Sequence, residues 1–213
     1  MISMVLLSAL LAYLVGSFPT SIVFCRLLKG IDIRKIGSGN PGATNVYRAC
    51  GWRIALLVLA IDALKGTFGV YVPVFFLSNM PQFQEYRTLF MACGGLMAIG
   101  GHIWTVFAGF KGGKGVGTAL GFLLAINPLP ALAGLTAWIV VVAFARIVSL
   151  ASLSAVIVMA GITCAMHWQS NNTLVYLALF MVALIFFTHR SNIRRLLNGH
   201  ENKISFGKKK DSV

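Results

Sequence analysis

The sequence predicts an all-α polytopic membrane protein of about seven transmembrane helices, with its N-terminus outside and its C-terminus cytoplasmic. Three observations carry that expectation. The chain of 213 residues is 58% hydrophobic and only 11% charged, whereas a soluble domain is about a quarter charged. Several apolar runs reach the ~20 residues that a helix needs to cross a bilayer. Basic residues gather in every second connection between those runs.

The runs fall at about 4–25, 54–78, 88–108, 115–127, 129–145, 147–167 and 173–188. The first has no basic segment before it, and GSFPTS interrupts it without an A-x-A-like ending, so no cleaved signal peptide is expected. The second carries Asp62 and Lys65, three residues apart on one helical face. Their mutual pairing is the simplest account of charge within a span. The third ends in GGHIWTVF. The fourth is short and is followed by Pro128 and Pro130, which shift the boundary between it and the fifth. Arg146 separates the fifth from the sixth. The seventh ends where HRSNIRRLLNGHENK begins at His189.

Sorting the charges orients the chain. The segment 26–53 holds six basic residues, and the connection 109–114 holds Lys111 and Lys114. Adding Arg146 and the seven basic residues after His189 makes sixteen of eighteen in alternate connections. The net charge of +13 is thereby explained by topology and by attraction to anionic lipid, and no nucleic-acid partner is implied. Residues 1–203 read as a single membrane domain. Residues 204–213 read as a basic cytoplasmic tail on the lipid surface. Cys25, Cys50, Cys93 and Cys164 show no C-x-x-C spacing and imply neither a zinc site nor a disulfide framework.

The same sorting collects the polar chemistry on one membrane face. The stretch GSGNPGATN, Gly37 to Asn45, contains the turn signal Asn40-Pro41-Gly42. Its glycines can turn main-chain N–H groups into one concavity suited to an anion. Thr44 and Arg48 are spaced to share a helical face, and an Arg grips phosphate bidentately. An ordinary polar turn with a membrane-anchoring Arg is the alternative. The stretch FKGGKGVGTALG offers Lys111, Gly112, Gly113 and Lys114 where a helix begins, again an anion-attracting arrangement. It is not a Walker A loop, because Ala108 and Gly115 stand where that pattern needs Gly and Ser/Thr. Gly117 and Gly121 have small-xxx-small spacing and read as helix packing.

Two anion loops imply two phosphorylated ligands or one ligand with two phosphates. Only five acidic residues accompany them, with no D-x-x-D cluster to hold magnesium for phosphoryl transfer. No metal and no cofactor are expected, and phosphate reads as a handle or leaving group. His189 and Asn192 are spaced for one helical face. His189 and His102 are each a candidate base or hydrogen-bond donor, or an interface histidine bonded to backbone. His167 and His200 read as bland. A membrane transporter of a phosphorylated solute is the alternative class. The clustering of motifs at one face and the lack of an internal repeat count against it.

Three blocks, SGNPGATNVYR (Ser38 to Arg48), GHIWTVFAGFKGGKGVGT (Gly101 to Thr118) and HRSNIRRLLNGHENK (His189 to Lys203), resemble those of the bacterial acyl-phosphate:glycerol-3-phosphate acyltransferases. GSFPTS, DALKG and RIVSLASLSA are similar to that family too, so the resemblance covers nearly the whole chain in order. It implies a seven-span enzyme of the bacterial cytoplasmic membrane whose site faces the cytoplasm. Its partners would be acyl-phosphate, glycerol 3-phosphate and membrane lipid, and its products lysophosphatidic acid and inorganic phosphate. The resemblance makes Ser38, Arg48, Lys111, His189 and Asn192 the catalytic set. Asn40, Gly42, Thr44, Asn45, Gly112, Gly113, Lys114 and Ser149 become the substrate-binding set, and Glu201 a structural support. Either His189 or a substrate phosphate would take the proton of the attacking hydroxyl. Thr105 stands where that family usually has proline, which bears on the local shape at the end of the third span.

Overall fold

The computed structural model describes residues 2–205, and these residues form helices and connecting loops. In hydrocarbon no water can satisfy a backbone N–H or C=O, so an apolar chain must satisfy them within helices. The first span divides at Phe18-Pro19 into α1 (Ile2–Ser17) and α2 (Thr20–Lys29). Proline lacks the N–H that would continue the ladder. A 3-10 turn (Ile33–Lys35) and the loop 36–42 lead to α3 (Ala43–Cys50), and α4 (Trp52–Leu77) follows. The thiols of Cys25 and Cys50 touch at 3.1 Å and seat α3 against α2.

Beyond α4 come α5 (Pro81–Glu85), α6 (Arg87–Ile103), α7 (Val116–Ile126), α8 (Pro128–Ala145), α9 (Val148–His167), α10 (Asn172–Thr188) and α11 (Arg190–Leu197). Among the described residues, five helices are long and apolar enough to cross a membrane, or six if the 66° bent pair α10–α11 is one span. The expected fourth span is the exception. It is α7, with 11 residues, about 16 Å of helix against a hydrocarbon core of about 30 Å. Phe75 and Phe144 are 81% and 87% exposed, an outward apolar surface that lipid rather than water solvates.

Close helix approach sets the position of α7. A side-chain carbon added at Gly66 would strike the Thr118 carbonyl, and one at Gly121 the Ala63 carbonyl. Glycine therefore lets the α4 and α7 backbones meet, the packing expected of small-xxx-small spacing in membranes. The end of α6 is secured differently. Thr105, at the position expected for proline, has φ −67°, the angle proline would impose. Its hydroxyl donates to the Ser17 carbonyl at the end of α1, a tie between helices that a proline side chain could not make.

The C-terminal segment returns to the body. The Ile204 N–H donates to the Arg146 carbonyl at 2.7 Å, and Tyr47 donates its hydroxyl to the Ser205 carbonyl at 2.9 Å. The first two residues of the expected tail are thus attached to the helical domain. Residues 206–213, the rest of that tail, lie outside the described residues.

Candidate active site

Four helices, α3, α7, α9 and α11, begin around one cleft, and none has a side-chain cap. Helix N-termini carry partial positive charge and unpaired N–H groups, so their convergence favours an anion. The cleft has a volume of about 1050 Å³, and all thirteen sequence-predicted site residues line it. They come from four segments well separated in sequence, the first and last more than a hundred residues apart, which only tertiary packing brings together.

The first loop is held from within. Asn45 is buried, and its amide donates to the carbonyls of Ile33 at 3.2 Å and Ile36 at 2.8 Å. Its carbonyl oxygen accepts from the Ser38 N–H at 3.2 Å. Asn45 is therefore the strut that shapes GSGNPGATN, and its polar atoms serve the loop rather than the cleft. Ser21 adds a second tie, donating to the Pro41 carbonyl at 2.7 Å. Ser38, Asn40 and Thr44 remain along the rim, and the exposed Arg48 donates weakly to the Asn202 carbonyl at 3.4 Å.

The second loop differs from a main-chain nest. The Gly112 N–H pairs with the Ile103 carbonyl at 3.0 Å, and the Gly113 N–H with the His102 carbonyl at 3.1 Å. Any side-chain carbon at Gly112 would strike the His102 carbonyl. These glycines let the loop lie flat on the end of α6, and their N–H groups are used there. The cleft-facing cations are the exposed Lys111 and the half-buried Lys114. Burial pulls the Lys114 pKa down to about 8, against the opposing pull of the Glu201 charge.

Behind Lys114 lies a carboxylate hub. Glu201 accepts from Ser149 at 3.0 Å, Asn192 at 2.6 Å and Arg195 at 2.7 Å. Burial alone would raise its pKa, but those three hydrogen bonds outweigh it and hold the carboxyl below its usual range. Lys114 donates to the carbonyl oxygen of Asn192, so Asn192 bridges ammonium and carboxylate. His189, just past α10, is buried, and its Nδ1 lies 2.9 Å from the Ile185 carbonyl. A carbonyl only accepts, so Nδ1 carries the proton and Nε2 keeps its lone pair. Burial, then the Lys114 charge, pull the His189 pKa down to about 4. At neutral pH it is an uncharged acceptor.

Sequence reasoning placed less weight on the cleft floor. Asp62 and Lys65 pair at 2.9 Å as expected, but the pair also reaches His102 and Thr20. An apolar groove between spans, whose residues the sequence did not single out as its lining, adjoins the polar cleft. It shares Leu59, Val116, Gly117, Trp138 and Ser152 with it and runs between α4, α7, α8, α9 and α10 to Met159 and Met181. No local motif marks such a groove, because its lining reads as ordinary span residues.

A family model described as glycerol-3-phosphate acyltransferase matches residues 6–199. A glycerol-3-phosphate acyltransferase of Chlorobaculum tepidum is 42% identical over 224 residues, covering 93% of this chain and 95% of that protein. One from Chlorobium limicola is 39% identical, with 96% and 99% covered. The crystal structure of PlsY (YgiH), an integral membrane glycerol 3-phosphate acyltransferase, in its glycerol 3-phosphate form superposes with a TM-score of 0.82 at 36% identity, covering 94% of this chain and 96% of that one. Its lysophosphatidic acid form superposes with a TM-score of 0.81 at 36% identity, covering 94% and 95%. The chain belongs to the glycerol-3-phosphate acyltransferase family.

Proposed function

We propose that the protein transfers a fatty acyl group from acyl-phosphate to the sn-1 hydroxyl of glycerol 3-phosphate, giving lysophosphatidic acid and inorganic phosphate. The observation that carries this reading is the continuity of a cationic cleft with an apolar groove inside the helical body. The groove suits an acyl chain, and the cleft suits the phosphates of donor and acceptor. A carrier of a polar phosphorylated solute has no use for the apolar branch.

The hydroxyl oxygen attacks the acyl carbonyl carbon, forming the ester C–O bond and shifting the carbonyl electron pair to oxygen. Collapse of that tetrahedral species breaks the bond to the phosphate oxygen, and phosphate leaves with the bonding pair. Because acyl-phosphate is already activated, positioning and charge stabilisation carry most of the catalysis. Arg48, Lys111 and Lys114 hold phosphate oxygens and offset the developing negative charge. Ser38, Asn40 and Thr44 line the approach at the first loop, Gly42 opens α3, and Asn45 keeps that loop in shape. Gly112 and Gly113 seat the loop that carries the lysines, while Asn192 holds Lys114 directly and is itself held, with Ser149, by Glu201. Nε2 of His189 accepts a hydrogen bond from the attacking hydroxyl and orients it. With a pKa near 4 it is a weak base, so the proton passes to a substrate phosphate oxygen.

Seven spans, with the cleft on the cytoplasmic side of the bacterial inner membrane, complete the proposal. Asn127, just past α7, donates to Thr163 at 3.1 Å. Thr163 lies fifteen residues beyond Val148 along α9, about 22 Å of helix. That depth supports α7 carrying the chain through most of the layer despite its length. The gathering of Arg and Lys at the cleft end supports the orientation.

The test is direct. Purified protein in detergent receives palmitoyl phosphate and glycerol 3-phosphate without added metal, and lysophosphatidate and phosphate are measured together. Equal yields of both, lost in Arg48→Ala, are expected. Folded protein that makes neither product would sink the acyl-phosphate reading.

A further inference from the structure

We propose that His102 is a phosphate-binding residue of the cleft, with its ring proton held on Nε2 by the buried Asp62–Lys65 pair beneath it. The proposal rests on the acyltransferase reading for its substrates, but its geometry stands apart from that reading.

Lys65 Nζ has three N–H donors and four neighbours. It lies 2.8 Å from the Phe18 carbonyl, 2.9 Å from Asp62 Oδ1, 3.3 Å from Thr20 Oγ1 and 3.4 Å from His102 Nδ1. Thr20 already donates to Asp62 at 2.9 Å. The carbonyl and the carboxylate take two Lys65 donors, and the third is shared between Thr20 Oγ1 and the imidazole Nδ1. Asp62 stands 3.6 Å from Nδ1, too far for a good hydrogen bond. An ammonium cannot accept, so the contact with Lys65 is made by an Nδ1 lone pair, and the ring proton sits on Nε2.

The opposite edge of the ring meets the second loop. A side-chain carbon on Gly113 would run into His102 Nε2, and His102 itself lines the cleft. No described residue hydrogen-bonds Nε2, although His102 is only 8% exposed. The Gly112 and Gly113 N–H groups are already paired with the end of α6. A phosphate oxygen above this loop therefore finds an outward donor on the floor in the imidazole rather than in those amides. Such an oxygen belongs to glycerol 3-phosphate or to acyl-phosphate, and the chemistry recognised is the same.

Three variants separate the edges of the ring. The His102→Asn amide can keep the Nδ1-side contact with Lys65 but has no atom at Nε2. The longer His102→Gln amide places an N–H near the Nε2 position, and His102→Leu removes both. Each is prepared as the full chain, and inorganic phosphate affinity is measured by calorimetry, independently of turnover. His102→Asn and His102→Leu are expected to weaken phosphate about tenfold, and His102→Gln to recover most of that loss. The KM of whichever substrate uses this position should rise by the same factor, with kcat within about twofold. Varying palmitoyl phosphate and glycerol 3-phosphate separately identifies it. Nitrogen NMR of ¹⁵N-histidine protein, with the His102 signals assigned by their loss in His102→Asn, should show the proton on Nε2.

Wild-type phosphate affinity in His102→Asn would overturn the proposal, as would a proton on Nδ1. Equal loss in Asn and Gln variants with a lowered Tm would make the histidine structural and overturn it too. Wild-type protein that binds phosphate through His102 but makes no lysophosphatidate would refute the acyltransferase reading alone.

Discussion

Ser149 and Glu201 meet at 3.0 Å across 52 residues of sequence, joining the start of α9 to the segment after α11. The same carboxylate holds Asn192 and Arg195, so one side chain ties three parts of the cleft wall. Glu201→Ala should lower stability by about 1–3 kcal/mol, the cost of leaving buried partners unsatisfied. Thermal unfolding in detergent checks this, and an unchanged Tm would exclude the hub. Glu201→Gln, which keeps the size and one acceptor, should lose less.

Arg48 stands on the open side of the cleft, and among the described residues its side chain makes one hydrogen bond, a weak one to the Asn202 carbonyl. A guanidinium so placed is available to phosphate. Loss of a charge-assisted hydrogen bond is worth about 1.5–3 kcal/mol, or more than tenfold. Arg48→Ala should lower kcat/KM by at least that factor, and Arg48→Lys should recover only part, because the forked geometry is absent. Steady-state kinetics with each substrate varied in turn would show it.

Lys114 has a pKa of about 8, lowered first by burial. Below that value it is a cation that attracts phosphate, and above it the charge is lost. The affinity for phosphorylated substrate should therefore fall as pH rises through about 8. Lys114→Arg, charged throughout, should remove that alkaline decline even if its rate is lower. A decline identical in both proteins would assign it to another group. His189, already uncharged above about pH 4, should contribute no ionisation near pH 6.5 in the free enzyme.

The apolar groove makes a separate prediction. Ala155 lines it between Ser152, which it shares with the polar cleft, and Met159 beyond. Ala155→Phe should obstruct a long chain before a short one. The ratio of kcat/KM for palmitoyl phosphate to that for octanoyl phosphate is expected to fall about tenfold. An unchanged ratio would place the acyl chain elsewhere.

Gly121 on α7 touches the Ala63 carbonyl of α4 with no room for a side-chain carbon. Gly121→Val should force the helices apart and cost about 1–3 kcal/mol of overpacking. Because Lys114 sits in the loop that leads into α7, activity should fall with stability. Gly161, with open space around its Cα, is the control, and Gly161→Ala should leave both unchanged.

By itself the sequence determined the class of fold, most of the spans and the polar loops. Those features are local: apolar runs of spanning length, alternating basic connections, and glycine turns with Arg48 or Lys114 beside them. It also marked Asp62 and Lys65 as a pair, since i and i+3 on a helix must be neighbours. Tertiary structure decided what no local pattern holds. It fixed the ends of α7, which the sequence already marked as short, at Gly115 and Asn127, and set what packs beside it. It turned the Gly112 and Gly113 N–H groups toward α6, and Asn45 toward its own loop, because buried backbone groups need partners. It placed His102 over Lys65, Glu201 against Ser149, and the apolar groove beside the cationic cleft. Those relationships link side chains on different helices, and a one-dimensional pattern contains no distances between helices.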